Sequence, residues 1–202
     1  TIFLVYRIAE RILNRSSGII AGLLFAISGS TIYYSGEVLM TSLATLSMTW
    51  IVYSLSSIKP HILTRNYISA GIGIGMMALL RPNILLLLPF TTLFALYMSR
   101  HNGNIINKLK SAFLHFSSAI ILLLPTMFIN YQVSNHIIPV STQGGVNFLI
   151  GNVRGADGWS STLPNSGPSW SNKDALNLAS GYSKKELSDV EVSPVLWKMG
   201  MN

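Results

Sequence analysis

Cysteine is absent from this chain of 202 residues. Its absence removes disulfide frameworks, thiolate zinc sites and cysteine nucleophiles together, while leaving the compartment open. Charge is scarce as well. Only 10% of residues are charged and 50% are hydrophobic, against roughly a quarter charged in soluble domains. A soluble domain of this length would lack the polar surface to cover such a core, so a bilayer is the better solvent. Acid is rarest: Glu37 is the sole carboxylate between Glu10 and Asp157. His61, His101, His115 and His136 fall on separate elements without ligand spacing, which argues against a histidine metal site. Ser30, Thr31 and Ser35 have no histidine partner at a recognisable interval, so a serine hydrolase has no support. No internal repeat and no coiled-coil heptad is present.

What the chain does have is a charge map. Long apolar stretches alternate with short basic segments, and short loops rich in Arg and Lys mark the cytoplasmic side of a membrane protein. That rule puts Arg7, Arg11, Arg15, Lys59, Arg65, Arg100, Lys108 and Lys110 inside, accompanied only by Glu10. Glu37, Arg81 and everything after Tyr131 then lie outside. In the outer tail Arg154, Lys173, Lys184, Lys185 and Lys198 balance Asp157, Asp174, Glu186, Asp189 and Glu191. The formal net charge of +7 is therefore an inner-loop charge and reports topology. Split among separate loops, with no basic helix face, these cations argue against nucleic acid as a partner.

The expected fold is an all-α polytopic membrane protein. Residues 1–131 form a transmembrane helical domain with about five membrane-crossing helices. Residues 132–202 form a small irregular or α+β extracytoplasmic segment. The chain opens within an apolar run and stops a few residues into a new helix, so it reads as an internal fragment of a longer multipass protein with no visible signal peptide. Residues 18–34 form a span closed by Tyr33 and Tyr34, as in an aromatic belt. A return helix starts at Val38, carries Trp50 and Tyr53 near its inner end, and stops at Lys59-Pro60-His61.

Residues 67–97 are far too long for one span of ~30 Å at ~1.5 Å per residue. Arg81-Pro82 divides them, because proline removes a helical hydrogen bond and a charge at bilayer centre costs ~2.5–3.5 kcal/mol on insertion scales. The result is a helical hairpin with Arg81 at its outer turn, or a re-entrant or shallow pair. Residues 111–131 form the clearest full span, with Pro125 near its outer end. Further on, residues 160–172 are rich in Ser, Gly, Asn and Pro and read as irregular exposed backbone. Val146 to Ile150 fits a short strand. Ser193-Pro194 has the N-cap and first-turn proline of a helix start.

Four places carry candidate chemistry. Glu37, in the outer turn, can orient a sugar hydroxyl, ligate a divalent ion or act as a base. It can equally be an interfacial residue interacting with the macrodipole of the Val38 helix. Arg81, in Leu80-Arg81-Pro82-Asn83, offers the paired hydrogen bonds that suit a lipid-linked phosphate. Its alternative roles are a headgroup anchor or a salt bridge to Glu37. Gly71, Gly73 and Gly75 lack the strand-then-helix context of a phosphate loop, and read as small residues that let membrane helices approach. In residues 143–152, the amides of Asn147 and Asn152 can donate and accept to hydroxyl-rich ligands, or the segment is a tight loop packed on the membrane domain.

In order, Val5-Tyr6-Arg7-Ile8-Ala9-Glu10-Arg11, Ile32-Tyr33-Tyr34-Ser35-Gly36-Glu37 and Gly73-Ile74-Gly75-Met76-Met77-Ala78-Leu79-Leu80-Arg81-Pro82-Asn83 precede Pro125, Asn130-Tyr131 and the run from Gly144 to Asn152. Taken with the hydrophobic segments between them, these pieces resemble the GT-C class of integral-membrane glycosyltransferases. The specific resemblance is to the dolichyl-phosphate-mannose-protein mannosyltransferase-like superfamily, and it covers most of the chain.

The resemblance implies transfer of a sugar from a polyprenyl-phosphate donor to a glycan, lipid or protein acceptor at the outer face of the cell membrane. It implies donor-phosphate binding by Arg81 and Asn83, sugar contact by Asn147 and Asn152, and acceptor or metal positioning by Glu37. It implies no definite cofactor and leaves a divalent metal open. The family's principal acidic residue lies in the first outer loop, which would precede Thr1, so the base is not transferred to Glu37. Two rival readings belong to other classes: a lipid-linked glycan transporter or flippase, and a noncatalytic membrane subunit whose outer tail binds a partner.

Overall fold

The structure, a computed structural model, describes residues 1–37, 40–57, 64–99, 104–164, 166 and 169–201. The expected helix start at Val38, the helix end at Lys59-Pro60-His61, and Arg100 and His101 of the inner turns lie outside the described residues. Among the described residues all regular structure is helical, with no strand. The chain divides into two compact units, residues 1–125 and 126–202.

The first unit contains α1 (Ile2–Ile12), α2 (Arg15–Ile27), α3 (Gly29–Gly36), α4 (Thr41–Ser56) and α5 (Thr64–Leu80). A 3-10 turn (Pro82–Leu86) then leads into α6 (Leu87–Met98) and the first two-thirds of α7 (Ile105–Ser134). Asn14 caps α2 by accepting from the Ser17 amide at 2.9 Å, which satisfies one of the donors a helix start leaves unpaired. α2 and α3 meet at Ser28 with a bend of 54°. By length and composition, α7 is the one described helix able to cross a membrane alone, and the bent α2–α3 pair passes if taken as one span.

Small residues set the packing. A Cβ added at Gly18 would lie 2.9 Å from the Tyr6 carbonyl oxygen and 3.0 Å from the Glu10 Cβ, so α1 and α2 touch nearly backbone to backbone. α5 is central. Gly71 and Gly75, four apart and hence on one face, meet α7, where a Cβ at Gly71 would overlap Ser118 and the His115 carbonyl. Gly73, on the opposite face, meets Ile51 of α4, where a Cβ would sit 2.9 Å from the Ile51 Cγ1. The glycine run is thus a two-sided packing device, as its sequence context implied. Membrane helices gain little from hydrophobic burial against each other, and close backbone approach supplies the attraction instead.

The outer surface reverses the soluble pattern. Ile19, Leu23 and Leu24 on α2, Phe90 and Leu93 on α6, and Phe113, Ile121 and Leu124 on α7 are exposed. Ser47, Ser54, Ser99, Ser111 and His115 are buried. Every buried side-chain polar atom described has a partner. Trp50 donates to the Ser69 hydroxyl at 2.8 Å, Ser54 and Ser69 pair at 2.9 Å, and Tyr67 pairs with Ser99 at 2.8 Å.

Cross-helix contacts fix the direction of each helix. Asn66 meets Ser57, Ser69 meets Ser54, and Gly73 meets Ile51, so α4 and α5 are antiparallel. Tyr67 meets Ser99, which makes α5 and α6 the expected hairpin. His115 meets the Tyr67 carbonyl while Ala119 meets Gly75, so α7 runs parallel to α5. Arg11 donates to the Ser57 hydroxyl and lies 4.7 Å over the Tyr53 ring, whereas Thr1 and Thr45 line one cleft; α1 is therefore parallel to α4. Arg7, Arg11, Arg15, Arg65, Lys108 and Lys110 accordingly gather at one end of the unit. Glu37 and Arg81 sit at the other.

The second unit holds the end of α7, α8 (Gly144–Asn152), α9 (Asn172–Ser183) and α10 (Asp189–Gly200). Two expectations are corrected here. Val146 to Ile150 is helical, not a strand. A short apolar run does not distinguish the two by period alone, and what decides is that Val146, Leu149, Ile150 and Val153, at i, i+3, i+4 and i+7, all pack into one cluster with Ala179, Val192 and Leu196. α10 begins at Asp189, not at Ser193-Pro194. Ser188 and Glu191 form a reciprocal capping box, with Glu191 accepting from the Ser188 amide at 2.8 Å and hydroxyl at 2.7 Å. Pro194 stands inside the helix, and Ser193 instead accepts from the Gly145 amide at 2.9 Å, holding α8 to α10. The irregular stretch before α9 is anchored by buried Leu163.

Candidate functional site

Arg81 follows the last residue of α5. Its amide still donates to the Met77 carbonyl at 2.7 Å, and its own carbonyl accepts from Ile84 at 3.1 Å to start the 3-10 turn. Pro82 makes the break, since it lacks the amide that would continue the helix. The extended backbone of Arg81 (φ −141°, ψ 92°) leaves the guanidinium exposed, with Asn83 exposed two residues on.

Glu37 caps the C-terminal end of α3 and is also exposed. The helix start at Val38, on which the macrodipole reading rests, lies outside the described residues, and α3 turns its partial negative end toward the carboxylate. Glu37 and Arg81 do not form a salt bridge: the ion pair present among the described residues is Arg7–Glu10 at 2.6 Å, and among those residues neither Glu37 nor Arg81 has an ionic partner. Both charges face outward at the same end of the unit without being spent on the fold.

Between α1, α3 and α4, at that same end, lies a cleft of about 390 Å³. One wall is apolar (Ile2, Phe3, Phe25), and the other carries the hydroxyls of Ser30, Thr31, Tyr34, Ser35, Ser42 and Thr45. Ser35 donates to the Thr31 carbonyl at 2.6 Å, Ser42 to the Tyr34 carbonyl at 2.6 Å, and Thr45 to the Thr41 carbonyl at 2.8 Å. With their protons committed to the backbone, these oxygens face a ligand as acceptors. The sequence hinted at this wall only through the density of Ser and Thr around Tyr34. Closure by α1 required the fold.

Asn147 and Asn152 lie in the second unit on α8. Five positions apart, they are separated by about 140° around the helix axis. Asn147 is exposed, and the Asn152 amide donates to the Phe148 carbonyl at 2.8 Å. The fold therefore does not bring them onto one face. The opposite side of α8 is structural, with Phe148 stacked on Trp197 at 3.7 Å. No group of three or more His, Asp or Glu suited to a metal occurs among the described residues, and Glu37 stands as a single carboxylate. His115 is a packing residue: Nδ1 bonds the Tyr67 carbonyl at 3.1 Å and Nε2 the Thr91 hydroxyl at 3.0 Å, tying together α5, α6 and α7.

A helical unit with apolar outer faces and polar groups buried between its helices has the make-up of a membrane-embedded bundle. The sequence model of the dolichyl-phosphate-mannose-protein mannosyltransferase family matches residues 1–129, and the chain belongs to that family. No curated protein and no solved structure matches the chain.

Proposed function

We propose that this protein moves a sugar from a polyprenyl-phosphate donor to a glycan, lipid or protein acceptor at the outer face of the membrane. The end carrying Glu37 and Arg81 is the outer end, and the bent α2–α3 pair, α4, α5, α6 and α7 cross the bilayer. Such a short, multiply crossing bundle needs a charged residue only where it does work, because each intramembrane or interfacial charge is costly.

The observation that carries the reading is Arg81. It is an exposed guanidinium without an ionic partner among the described residues, held at a proline break by a helix locked on two sides. A donor phosphate accepts two parallel hydrogen bonds from such a group, with Asn83 adding a neutral donor. As the sugar leaves, negative charge grows on the phosphate oxygens, and a fixed cation stabilises that charge without reorganising. Glu37 positions the acceptor or a metal, and the hydroxyl-and-apolar cleft beside it accommodates a ligand with both hydroxyl and hydrocarbon parts. Asn147 and Asn152 contribute sugar contacts singly. A flippase would place open polar groups along its midplane, whereas the buried hydroxyls here are paired within the protein.

The test is Arg81→Ala in the complete protein, assayed for transfer from a polyprenyl-phosphate sugar. Loss of one charge-assisted donor predicts a fall of roughly 10²–10³ in turnover, with partial recovery in Arg81→Lys. Unchanged donor affinity and turnover would remove Arg81 from this role.

A further inference from the structure

The second unit contains a cleft that the glycosyl-transfer reading does not use. It measures about 520 Å³ and is formed by the end of α7, residues 136–142 and the start of α10. That volume lies in the range of roughly 300–1,000 Å³ typical of small-molecule sites. A smaller cavity of about 170 Å³ adjoins it and shares Thr142 and Asp189 as lining. Residues 130–202 lie beyond the family match.

Its chemistry is specific. The polar lining includes Asn130, Ser134, His136, Ser141, Thr142 and Asp189, and Val133, Ile138, Val140 and Val190 interleave with them. No lysine or arginine lines it, and a carboxylate without a cation repels phosphate and other anions. One carboxylate and one imidazole are too few ligands for a bound divalent ion. Hydroxyl-rich neutral molecules fit instead. A carboxylate accepts from two sugar hydroxyls, serine and threonine hydroxyls both donate and accept, and valine and isoleucine cover the C–H faces of a pyranose ring.

The walls are set in advance. Asn130 donates from Nδ2 to the Ile138 carbonyl at 2.9 Å and the Val140 carbonyl at 3.3 Å, leaving Oδ1 as an acceptor. Ser134 donates to the Asn130 carbonyl at 2.7 Å and accepts from the His136 amide at 3.2 Å. Ser141 accepts from the Gln143 amide at 3.1 Å. At the start of α10 the two acids divide their work: Glu191 is consumed by the Ser188 cap, and Asp189, two residues earlier, is exposed with no such bond. A rim organised before the ligand arrives loses little entropy on binding.

We infer that this cleft binds a neutral saccharide, Asp189 being the principal hydrogen-bond acceptor. Its assignment to the acceptor glycan rests on the glycosyl-transfer reading above; saccharide binding as such does not.

The test uses the complete protein in detergent micelles, with methyl glycosides of glucose, galactose, mannose and N-acetylglucosamine as probes in saturation-transfer NMR. At least one glycoside gives transfer signals in the parent protein. Val133→Trp, which fills the cleft from a highly exposed position, weakens its binding about tenfold or more, and Asp189→Asn weakens it several-fold. Circular dichroism stays unchanged in both. Absence of binding by the parent up to roughly 50 mM, or equal binding by parent and both variants, overturns the proposal. With a glycan acceptor in the transfer assay, the same variants raise acceptor KM and leave donor KM unchanged. If Arg81→Ala leaves transfer intact while Val133→Trp abolishes glycoside binding, the donor-phosphate role fails and the saccharide cleft stands. The reverse pattern sinks the cleft alone.

Discussion

His115 shows how one side chain acquires a role that no spacing announces. A carbonyl only accepts, so Nδ1 carries the hydrogen toward Tyr67, and Nε2 accepts a hydrogen bond from the Thr91 hydroxyl. Three helices meet on one buried imidazole. Hydrogen bonds between membrane helices average about 0.6 kcal/mol, with maxima near 1.7. Thr91→Val is therefore expected to cost about 1 kcal/mol or less, and its hydroxyl has carbonyls of its own helix as alternative partners. His115→Ala also leaves a void, and is expected to cost about 2–4 kcal/mol. Thermal unfolding in detergent, monitored by circular dichroism, ranks the two variants; equal midpoints would refute this account. Arg81 and Glu37 are the contrasting case. Their isolation in the sequence singled them out, and in the fold both remain exposed and without ionic partners among the described residues. Only the fold, however, removes the salt-bridge reading.

Elements follow local chemistry where the partner face is close in sequence, and tertiary contact where it is not. Gly71 and Gly75 sit on one face of α5 by periodicity alone, yet their partner helix lies some forty residues away in the chain and is identified only by packing. Gly71→Ala puts a methyl group into Ser118 and the His115 carbonyl, forcing α5 from α7 at a cost of about 1–3 kcal/mol. Gly151→Ala meets nothing within 4 Å, and is expected to be neutral or to gain up to ~1 kcal/mol of helix propensity. Comparing their unfolding midpoints tests whether the glycine run exists for approach.

The second unit depends on its caps. Asp157 is drawn down to about 2, chiefly by the Ser160 hydroxyl and amide. Asp174 and Glu191 are lowered by the amides and hydroxyls of Ser171 and Ser188. Carboxyls lowered on folding stabilise fully above their unfolded values near ~4 and lose that contribution as pH falls through the folded values. Amide hydrogen exchange in the first turns of α9 and α10, corrected for intrinsic rates, is expected to accelerate as pH falls below about 4, while α5 stays protected. Exchange indifferent to pH over that window would show that the caps contribute nothing. The Ser-x-x-acid signatures of both helices were present in the sequence; at α10 the more conspicuous Ser193-Pro194 drew the start five residues too late.

For the whole molecule, the decisive variable is which end faces which solvent. A chain without cysteine is a clean background for labelling. Single cysteines at Glu37 and Asn83 are expected to react with an impermeant thiol reagent added to intact cells. Those at Arg15 and Lys110 should react only after permeabilisation. The opposite pattern would invert the bundle and dissolve the proposed reaction centre. By itself the sequence determined the helical class of residues 1–131, the break at Arg81-Pro82 and the alternation of apolar and basic segments, because hydropathy and charge follow from composition along the chain. Only the tertiary structure decided that Val146 to Ile150 is helical, that His115 joins three helices, and that residues near 130, 140 and 189 enclose a cleft. Each of those depends on a partner far away in sequence, and a contact between distant residues leaves no periodic trace in either segment.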